Sequence, residues 1–362
     1  MQVDSATVEK YRQTTADLFA AIEADVTADF IMKKDLQTGY CVKFADGKCG
    51  VQIAYGETML GDACYFYPRI TRMLGDVAVM TATMSCPEIA RIALFEDDGA
   101  EFVEADFLRL PTTIRNILPD EIMQEDSLVI HKAFIDACND EKASVEQIFC
   151  RINSVANSLQ LLAKKDWAGA VPMYFRFADG RIPTPQTNIN DSFNLLHALC
   201  GLIVASKKSA NTRLAAVISD IEKSLDAKLD WKNILIATTD NSLSAYNNLQ
   251  QLWQNKMQKK YQPLLKKWLS TQLSASLFPF AGLGETPNQR ATIIGVRLAT
   301  IKLALTASYN IMGELADAEI VKIVQSLSRF LEHLSDSAFS LQIYAEAGWD
   351  KEARISGLLQ NK

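Results

Sequence analysis

The chain has 362 residues, of which 48% are hydrophobic and 22% are charged. This balance is typical of a folded globular protein and excludes a wholly disordered chain. The 43 acidic residues outnumber the 37 basic residues, which gives a formal net charge of −6 at pH 7. An acidic balance argues against nucleic acid as the main partner, because phosphate binding needs a basic stripe. At about 150 residues per domain, the length predicts roughly two domains.

The N-terminal sequence and the apolar runs argue against secretion and against a membrane span. Residues 1–5 have neither the basic nor the apolar region of a signal peptide. The apolar run at residues 195–205 is interrupted by His197 and is too short to cross a bilayer. We therefore expect a cytoplasmic protein without membrane contact, whose seven cysteines stay reduced.

The first part of the chain combines a helix with short hairpins. The spacing of apolar residues predicts a first helix over residues 5–28. The dipeptide Asp46-Gly47 predicts one hairpin, and Gly75-Asp76 predicts a second and clearer one. A third turn is predicted at Asp98-Gly99. Residues 1–108 are thus predicted to form a small α/β region that carries cysteines.

From residue 110 onward the pattern is helical almost throughout. Ser144 and Gln147 form a capping box that opens one helix, and Thr286, Pro287 and Gln289 open another. Further helices are predicted over residues 191–206, 210–227, 231–259 and 261–278. The predicted fold class is therefore mainly α, with the α/β region at 1–108 followed by a large helical domain at 109–362.

Several common catalytic motifs are missing from the sequence. The pair Gly282 and Gly284 lacks the third glycine of a dinucleotide-binding loop and follows a helical stretch instead of a strand. No G-x-S-x-G nucleophile elbow is present. The three histidines each stand alone on a predicted helix, so a histidine-based metal site is disfavoured.

Four of the seven cysteines lie in the first quarter of the chain, at Cys41, Cys49, Cys64 and Cys86. With a three-residue hairpin loop at 45–47, Cys41 becomes a diagonal neighbour of Cys49 on one face, within about 7–8 Å. Two thiols on one face are a starting point for a metal or iron–sulfur site. The spacing contains no C-x-x-C pair, so buried hydrophobic thiols stay an alternative.

Cys86 has a separate feature, because it stands in the sequence Ser85-Cys86-Pro87-Glu88. A capping pattern with proline in the first turn predicts that Cys86 lies at the start of a helix. The free amides and the dipole of a helix start stabilise a thiolate, which is the form that binds metals.

Three elements in residues 40–91 follow one another in a recognisable order. They are Tyr40-Cys41-Val42-Lys43-Phe44, Cys64-Tyr65-Phe66-Tyr67-Pro68-Arg69, and Ser85-Cys86-Pro87-Glu88-Ile89-Ala90-Arg91. Together they resemble the flagellin lysine N-methylases of bacteria. Weaker likenesses at Phe278-Pro279 and at residues 328–333 extend the resemblance over nearly the whole chain. Members of that family begin with a cluster like C-x3-C-x3-C-C, which this sequence does not show. We therefore expect either a truncated chain or a member that lacks this segment.

The resemblance implies that the chain transfers a methyl group from S-adenosylmethionine to lysine ε-amines of flagellin and holds an iron–sulfur cluster. The implied metal ligands are Cys41, Cys49, Cys64 and Cys86. In this interpretation Arg69 and Arg91 bind the cofactor carboxylate with Glu88 beside them. A salt bridge between an arginine and Glu88 is the alternative.

The resemblance also implies three groups that act on the target lysine. Tyr67 would orient the amine, and Glu332 with His333 would deprotonate it, since only a neutral amine attacks a methyl group. Core packing is the alternative for Tyr67 and for His333. Two other functions stay open for the whole chain: a non-enzymatic helical scaffold for protein interaction, and a zinc–thiolate structural protein without catalysis.

Overall fold

The computed structural model divides the chain into two compact units. Unit 1 comprises Met1–Met73, Ala78–Thr81 and Glu104–Asn116, and unit 2 comprises Leu74–Val77, Ala82–Val103 and Ile117–Lys362. The structure describes residues 2–26, 29–37, 39–96, 103–106, 109–178, 182–188, 190–205, 212–230, 235–332 and 337–360. The predicted mainly α fold, with short hairpins near the cysteines and a large helical body, is confirmed. The predicted domain boundary after residue 108 stays a prediction.

Short helices and two-stranded hairpins make up the first part of the chain. The elements are α1 (Ser5–Thr14), α2 (Ala16–Ala20), β1 (Ile22–Asp25), β2 (Asp29–Met32), β3 (Phe44–Ala45), β4 (Lys48–Cys49), α3 (Gly50–Tyr55), α4 (Asp62–Phe66), β5 (Arg69–Leu74) and β6 (Val77–Ala82). The strands pair as β1–β2, β3–β4 and β5–β6. The predicted hairpin around Gly75-Asp76 is confirmed, with Gly75 at φ +65° as its turn requires. The predicted turn at Asp98-Gly99 lies outside the described residues.

The first predicted helix, over residues 5–28, is interrupted at Thr15, and its prediction is wrong from Ile22 to Asp25, which form a strand. Thr15 is extended, at φ −152° and ψ 145°, and its side chain accepts a hydrogen bond from the amide of Leu18. A threonine hydroxyl that caps a new helix competes with continuation of the old one. The chain therefore starts the short helix α2 and then enters the β1–β2 hairpin, which begins at Ile22.

Asp4 ties the start of α1 to the start of α4. Its carboxylate accepts hydrogen bonds from the Thr7 amide at 2.9 Å and from the Asp62 amide at 3.0 Å. Burial raises the pKa of Asp4, but the hydrogen bonds from Asp62 and Thr7 outweigh burial and hold the pKa below its ordinary value. This contribution to stability is present at neutral pH and is lost as the pH falls through the lowered pKa.

Unit 2 is built mainly from helices. They are α5 (Pro87–Phe95), α6 (Gln124–Ala137), α7 (Val145–Leu159), α8 (Trp167–Phe177), α9 (Asp191–Ala205), α10 (Thr212–Ser224), α11 (Ser242–Leu252), α12 (Gln258–Ala275), α13 (Pro287–Met312), α14 (Asp317–Leu331), α15 (Ser337–Glu346) and α16 (Glu352–Gln360). One π-helical turn, Trp253–Met257, joins α11 to α12. The predicted capping boxes at Ser144 and Thr286 are both formed, which confirms these two helix starts.

The helix predicted over residues 231–259 is wrong in its first part. Residues Ala227–Asp230 form β7 and Leu235–Thr238 form β8, and the two strands pair antiparallel with Ala227 opposite Thr238. The β-branched residues of β8 favour a strand over a helix. The helical pattern resumes only at Ser242, where α11 begins.

The helix α13 is the centre of unit 2. It packs against α7, α10, α14 and α16, and its residues from Ala291 to Ser308 are all buried. With 26 residues, α13 is long and apolar enough to cross a bilayer, but 94% of its most apolar stretch is buried inside the protein. A helix that is buried on every side by other helices is apolar on every side. Burial inside the protein therefore accounts for the apolar sequence of α13.

A tightly packed glycine of α13 provides a test of this core. A Cβ atom at Gly295 would lie 2.4 Å from Cζ of Phe149 and 2.7 Å from Cδ1 of Ile355. We expect Gly295→Ala to lower the free energy of unfolding by about 1–3 kcal/mol, because overpacking outweighs the gain of up to about 1 kcal/mol in helix propensity. Urea unfolding followed by circular dichroism measures the change.

Gly201→Ala in α9 is the matched control. A Cβ atom there meets Cδ1 of Ile343 at 3.5 Å, which is ordinary van der Waals contact. We expect this variant to be as stable as the parent or slightly more stable. Equal stability of both variants would contradict the packing described for α13.

Candidate functional site

Three of the four predicted metal-binding cysteines come together in unit 1. Cys41, Cys49 and Cys64, here called the thiol cluster, are each half-buried against one hydrophobic core that includes Tyr11. Cys41 forms an isolated bridge with Lys34, Cys49 ends β4, and Cys64 lies in α4. Residues 23 positions apart in the sequence thus share one environment, whereas Cys86 belongs to unit 2.

The predicted register of the hairpin that carries two of these thiols is wrong. The turn has two residues, Asp46 and Gly47, at φ 51° and 75°, so that Phe44 pairs with Cys49 in place of Lys43. Two residues with positive φ are typical of the type I′ turn, which matches the twist of the strands. Cys41 still reaches the shared core because the strands are only two residues long and the strict alternation of faces ends with them.

Burial and the neighbouring thiols raise the pKa of Cys64. Burial, and then the negative charges that Cys49 and Cys41 carry when ionised, raise the pKa of Cys64 to about 11. Burial and the same three cysteines raise the pKa of Tyr11 to about 12. At neutral pH Cys64 is therefore a protonated thiol, whereas metal binding requires the thiolate.

The thiol cluster does not fit the implied iron–sulfur cluster as it stands. In the part of the chain that the structure describes, no three side chains of His, Cys, Asp or Glu form a group that would hold a metal ion. A four-thiolate ligand set also needs a fourth donor beside the three cysteines of unit 1. The donor set formed by the described residues is therefore incomplete for such a cluster.

Cys86 lies at the helix start that the sequence predicted. It is the N-cap residue of α5, and Pro87 occupies the first turn. The preceding segment is fixed to α14, since the Gln325 side-chain amide donates to the Ser85 carbonyl at 2.9 Å. The Ser-Cys-Pro-Glu motif thus anchors α5 within unit 2.

The residues predicted to bind the cofactor carboxylate have other partners. Arg91 forms ion pairs with Glu88 at 2.9 Å and with Glu96 at 2.7 Å, which is the salt-bridge alternative for this arginine. Arg69 donates to the Tyr65 carbonyl at 2.5 Å and lies over the Tyr65 ring. Tyr67, for which core packing was the alternative, has 43% of its surface exposed.

Glu332 is held by neighbours from two other elements of unit 2. It accepts hydrogen bonds from the Gln272 side chain at 2.9 Å and from the Thr83 hydroxyl. The guanidinium of Arg297 lies near Glu332 and donates to the Leu331 carbonyl. Burial lowers the pKa of Arg297, and the charge of Glu332 opposes this effect without outweighing it. Both carboxylate oxygens of Glu332 therefore have donors. His333 lies outside the described residues.

A second polar site, which the sequence-based predictions did not include, lies within unit 2. A cavity of about 410 Å³, here called the polar cavity, opens between α7, the α11–α12 junction, α13 and α16. Its lining residues are mostly polar: Ser144, Glu146, Gln147, Gln250, Trp253, Gln254, Gln258, Lys302 and Gln360. Gln250, Gln254 and Gln258 recur at intervals of four residues, which was a sequence signal for one polar helix face.

A buried ion pair forms part of the lining. The Lys302 ammonium contacts the Glu146 carboxylate at 2.7 Å and the Leu359 carbonyl at 2.8 Å, and it lies 4.8 Å from the ring centre of Trp253. The side chains of Lys302 and Glu146 are only 8% and 6% exposed. The second carboxylate oxygen of Glu146 accepts from the Gln262 side chain at 2.7 Å.

The environment keeps Glu146 ionised. Burial raises its pKa, but the charge of Lys302 and the hydrogen bonds from Lys302 and Gln262 outweigh burial and lower the pKa. Burial lowers the pKa of Lys302, and the charge of Glu146 opposes that effect. The cavity thus has a fixed negative group beside a fixed positive group, covered by an indole ring.

Residues 120–358 match the model of the FliB lysine N-methylase C-terminal domain. The chain belongs to the FliB lysine N-methylase family. The match covers about two thirds of the chain, and it confirms the family that the sequence was found to resemble. Glu146, Trp253 and Lys302 lie within the matched segment. No curated protein and no solved structure matches the chain. The four predicted metal-binding cysteines precede the matched segment.

The raised pKa of Cys64 predicts how this thiol reacts. Since the thiolate is the nucleophile, we expect alkylation of Cys64 by iodoacetamide to accelerate about tenfold per pH unit until the pH reaches about 11. An ordinary thiol reaches half of its maximal rate near pH 8.5. Peptide mass spectrometry measures the rate at Cys64 alone.

Removing the neighbouring thiols separates their effect from burial. In the double variant Cys41→Ser, Cys49→Ser we expect a lower midpoint for Cys64, which still stays above the ordinary value because burial is the larger cause. A half-maximal rate near pH 8.5 in the parent protein would contradict the shared environment of the thiol cluster.

Proposed function

We propose that the chain is a protein-lysine N-methyltransferase that transfers methyl groups from S-adenosylmethionine to lysine side chains of flagellin. The observation that carries the proposal is the family match over residues 120–358. The acidic net charge of −6 also suits a partner that presents lysines. The choice of flagellin as the substrate and of S-adenosylmethionine as the methyl donor is supported by the sequence resemblance and by membership of the lysine N-methylase family.

The reaction has simple chemical requirements. The lone pair of a neutral lysine amine attacks the methyl carbon of the sulfonium, and the carbon–sulfur bond breaks with its electron pair going to sulfur. The products of this attack are a methylated ammonium and S-adenosylhomocysteine, and the one proton released is the proton that the lysine ammonium loses before attack. Because free lysine has a pKa near 10.4, the site must favour loss of that proton before attack.

The roles predicted for individual residues on the basis of resemblance stay predictions. They concern Tyr67, Arg69, Glu88, Arg91, Glu332 and His333. Glu332 accepts hydrogen bonds at both oxygens, so we assign it the positioning of the segment before α5 against α12 and do not assign it proton transfer. A cytoplasmic location is likewise part of the proposal.

A methyl-transfer assay tests this function. Purified chain is incubated with flagellin and S-adenosylmethionine labelled in its methyl group, and modified peptides are mapped by mass spectrometry. We expect one or more methyl groups on flagellin lysines, at a rate at least about tenfold above the reaction without the chain. Flagellin with acetylated lysines is the control and gains no label.

The same assay separates the alternatives. Flagellin that binds the folded chain but gains no methyl groups would overturn the enzyme and favour an interaction scaffold. Stoichiometric zinc in an inactive preparation would favour a structural zinc–thiolate protein.

A further inference from the structure

The polar cavity has the size of a site for a small organic ligand. Its volume of about 410 Å³ lies within the usual range of about 300–1,000 Å³ for such sites. It lies between four helical elements, which is a common position for a ligand site in a helical protein. Gln250, Trp253, Gln254 and Gln258 reach it from the junction that contains a π-helical turn. Such turns occur frequently at functional sites.

The ion pair in the lining is complementary to a zwitterion. The Glu146 carboxylate accepts from Lys302, from Gln262 and from its own backbone amide, so a carboxylate with about four acceptor positions keeps room for one more donor. The Lys302 ammonium is a fixed positive group beside it. An α-amino acid likewise carries one ammonium beside one carboxylate, so each of its charged groups has a group of opposite charge in this pair.

Stability alone does not account for this ion pair. Removing two charges from water costs free energy that their attraction often does not recover, and apolar pairs of similar size are frequently more stable. The pair lies in a cavity lining and is covered by Trp253, which reduces its contact with water. A charged ligand that binds to Glu146 and Lys302 in the polar cavity would explain why the protein has an ion pair there.

The glutamines of the lining suit the other half of such a ligand. Five of them border the cavity, of which Gln147 belongs to the capping box with Ser144 and Gln360 donates to Cys150. The other three, Gln250, Gln254 and Gln258, lie at intervals of four residues. A glutamine amide offers both donors and an acceptor, and it pairs with the amino group and N7 of adenine through two hydrogen bonds. The cavity thus combines neutral hydrogen-bonding groups with one pair of opposite charges.

We propose that the polar cavity binds the methyl donor as an S-adenosyl amino acid, with Glu146 and Lys302 recognising its ammonium and carboxylate and the glutamines facing its adenosine. The assignment rests on the proposed function, and it places donor binding in unit 2, inside the segment that matches the family. It places no donor contact on Arg69 or Arg91.

Binding of S-adenosylhomocysteine tests the assignment without requiring turnover. Isothermal titration of the full chain is expected to show binding, with adenosine alone and methionine alone each at least about tenfold weaker, since each carries half of the recognised groups. The double variant Glu146→Gln, Lys302→Met is the main probe, because loss of both charges leaves no unpaired buried charge and preserves the fold. We expect its affinity for S-adenosylhomocysteine to fall about 10- to 100-fold, with its affinity for adenosine unchanged.

A second pair of variants tests the glutamine face without touching the buried charges. Gln250→Ala removes a lining amide, whereas Gln251→Ala removes an exposed neighbour on the same helix that does not line the cavity. We expect weaker binding of S-adenosylhomocysteine and of adenosine for the first variant only. Circular dichroism and unfolding curves verify that each variant is folded.

The outcomes separate this inference from the proposed function. Parent-like binding of S-adenosylhomocysteine by the folded double variant, or equal effects of the two glutamine variants, would overturn the cavity assignment even if flagellin is methylated. No binding of S-adenosylhomocysteine by the folded parent chain would overturn it as well. Binding that depends on Glu146 and Lys302, without methyl transfer to flagellin, would support the cavity and overturn the proposed substrate.

Discussion

Burial of α13 is the constraint on which unit 2 depends. A helix enclosed on all sides must be mostly apolar, and each polar side chain on it must find a partner among the surrounding helices. Lys302 meets Glu146 on α7 and a carbonyl of α16, and Arg297 meets a carbonyl of α14. Hydrophobic contact brings the helices together, and these polar contacts favour particular neighbours at particular positions along α13.

The same reasoning connects the ion pair to function. Lys302 and Glu146 are buried charged groups, and they lie where the helices leave the polar cavity. The lysine and the carboxylate pair with each other, and both residues line the polar cavity. A protein interior that needed only stability would have less reason to keep two charges there. The polar cavity therefore connects the packing of the core to the chemistry proposed for the family.

Unit 1 shows a different use of reactive side chains. The cysteines of the thiol cluster pack as small hydrophobic residues around Tyr11, and burial raises the pKa of Cys64. The motifs that first suggested the family lie largely in this part of the chain, whereas the family match lies in unit 2. Cys64 and Tyr65 are parts of a recognisable motif, and their observed contacts are those of packing.

Local sequence signals determined the helix starts at Ser144 and Thr286 and the hairpin at Gly75, because caps and tight turns depend on residues a few positions apart. The sequence by itself also determined the mainly α class and the family resemblance. Only the tertiary structure decided that Glu146, Trp253 and Lys302 share one cavity, since 156 positions separate the two members of the ion pair and no local spacing encodes their meeting. It likewise decided that Thr15 starts a new helix and that residues 235–238 form a strand, because cap competition and strand pairing outweighed the helical pattern there.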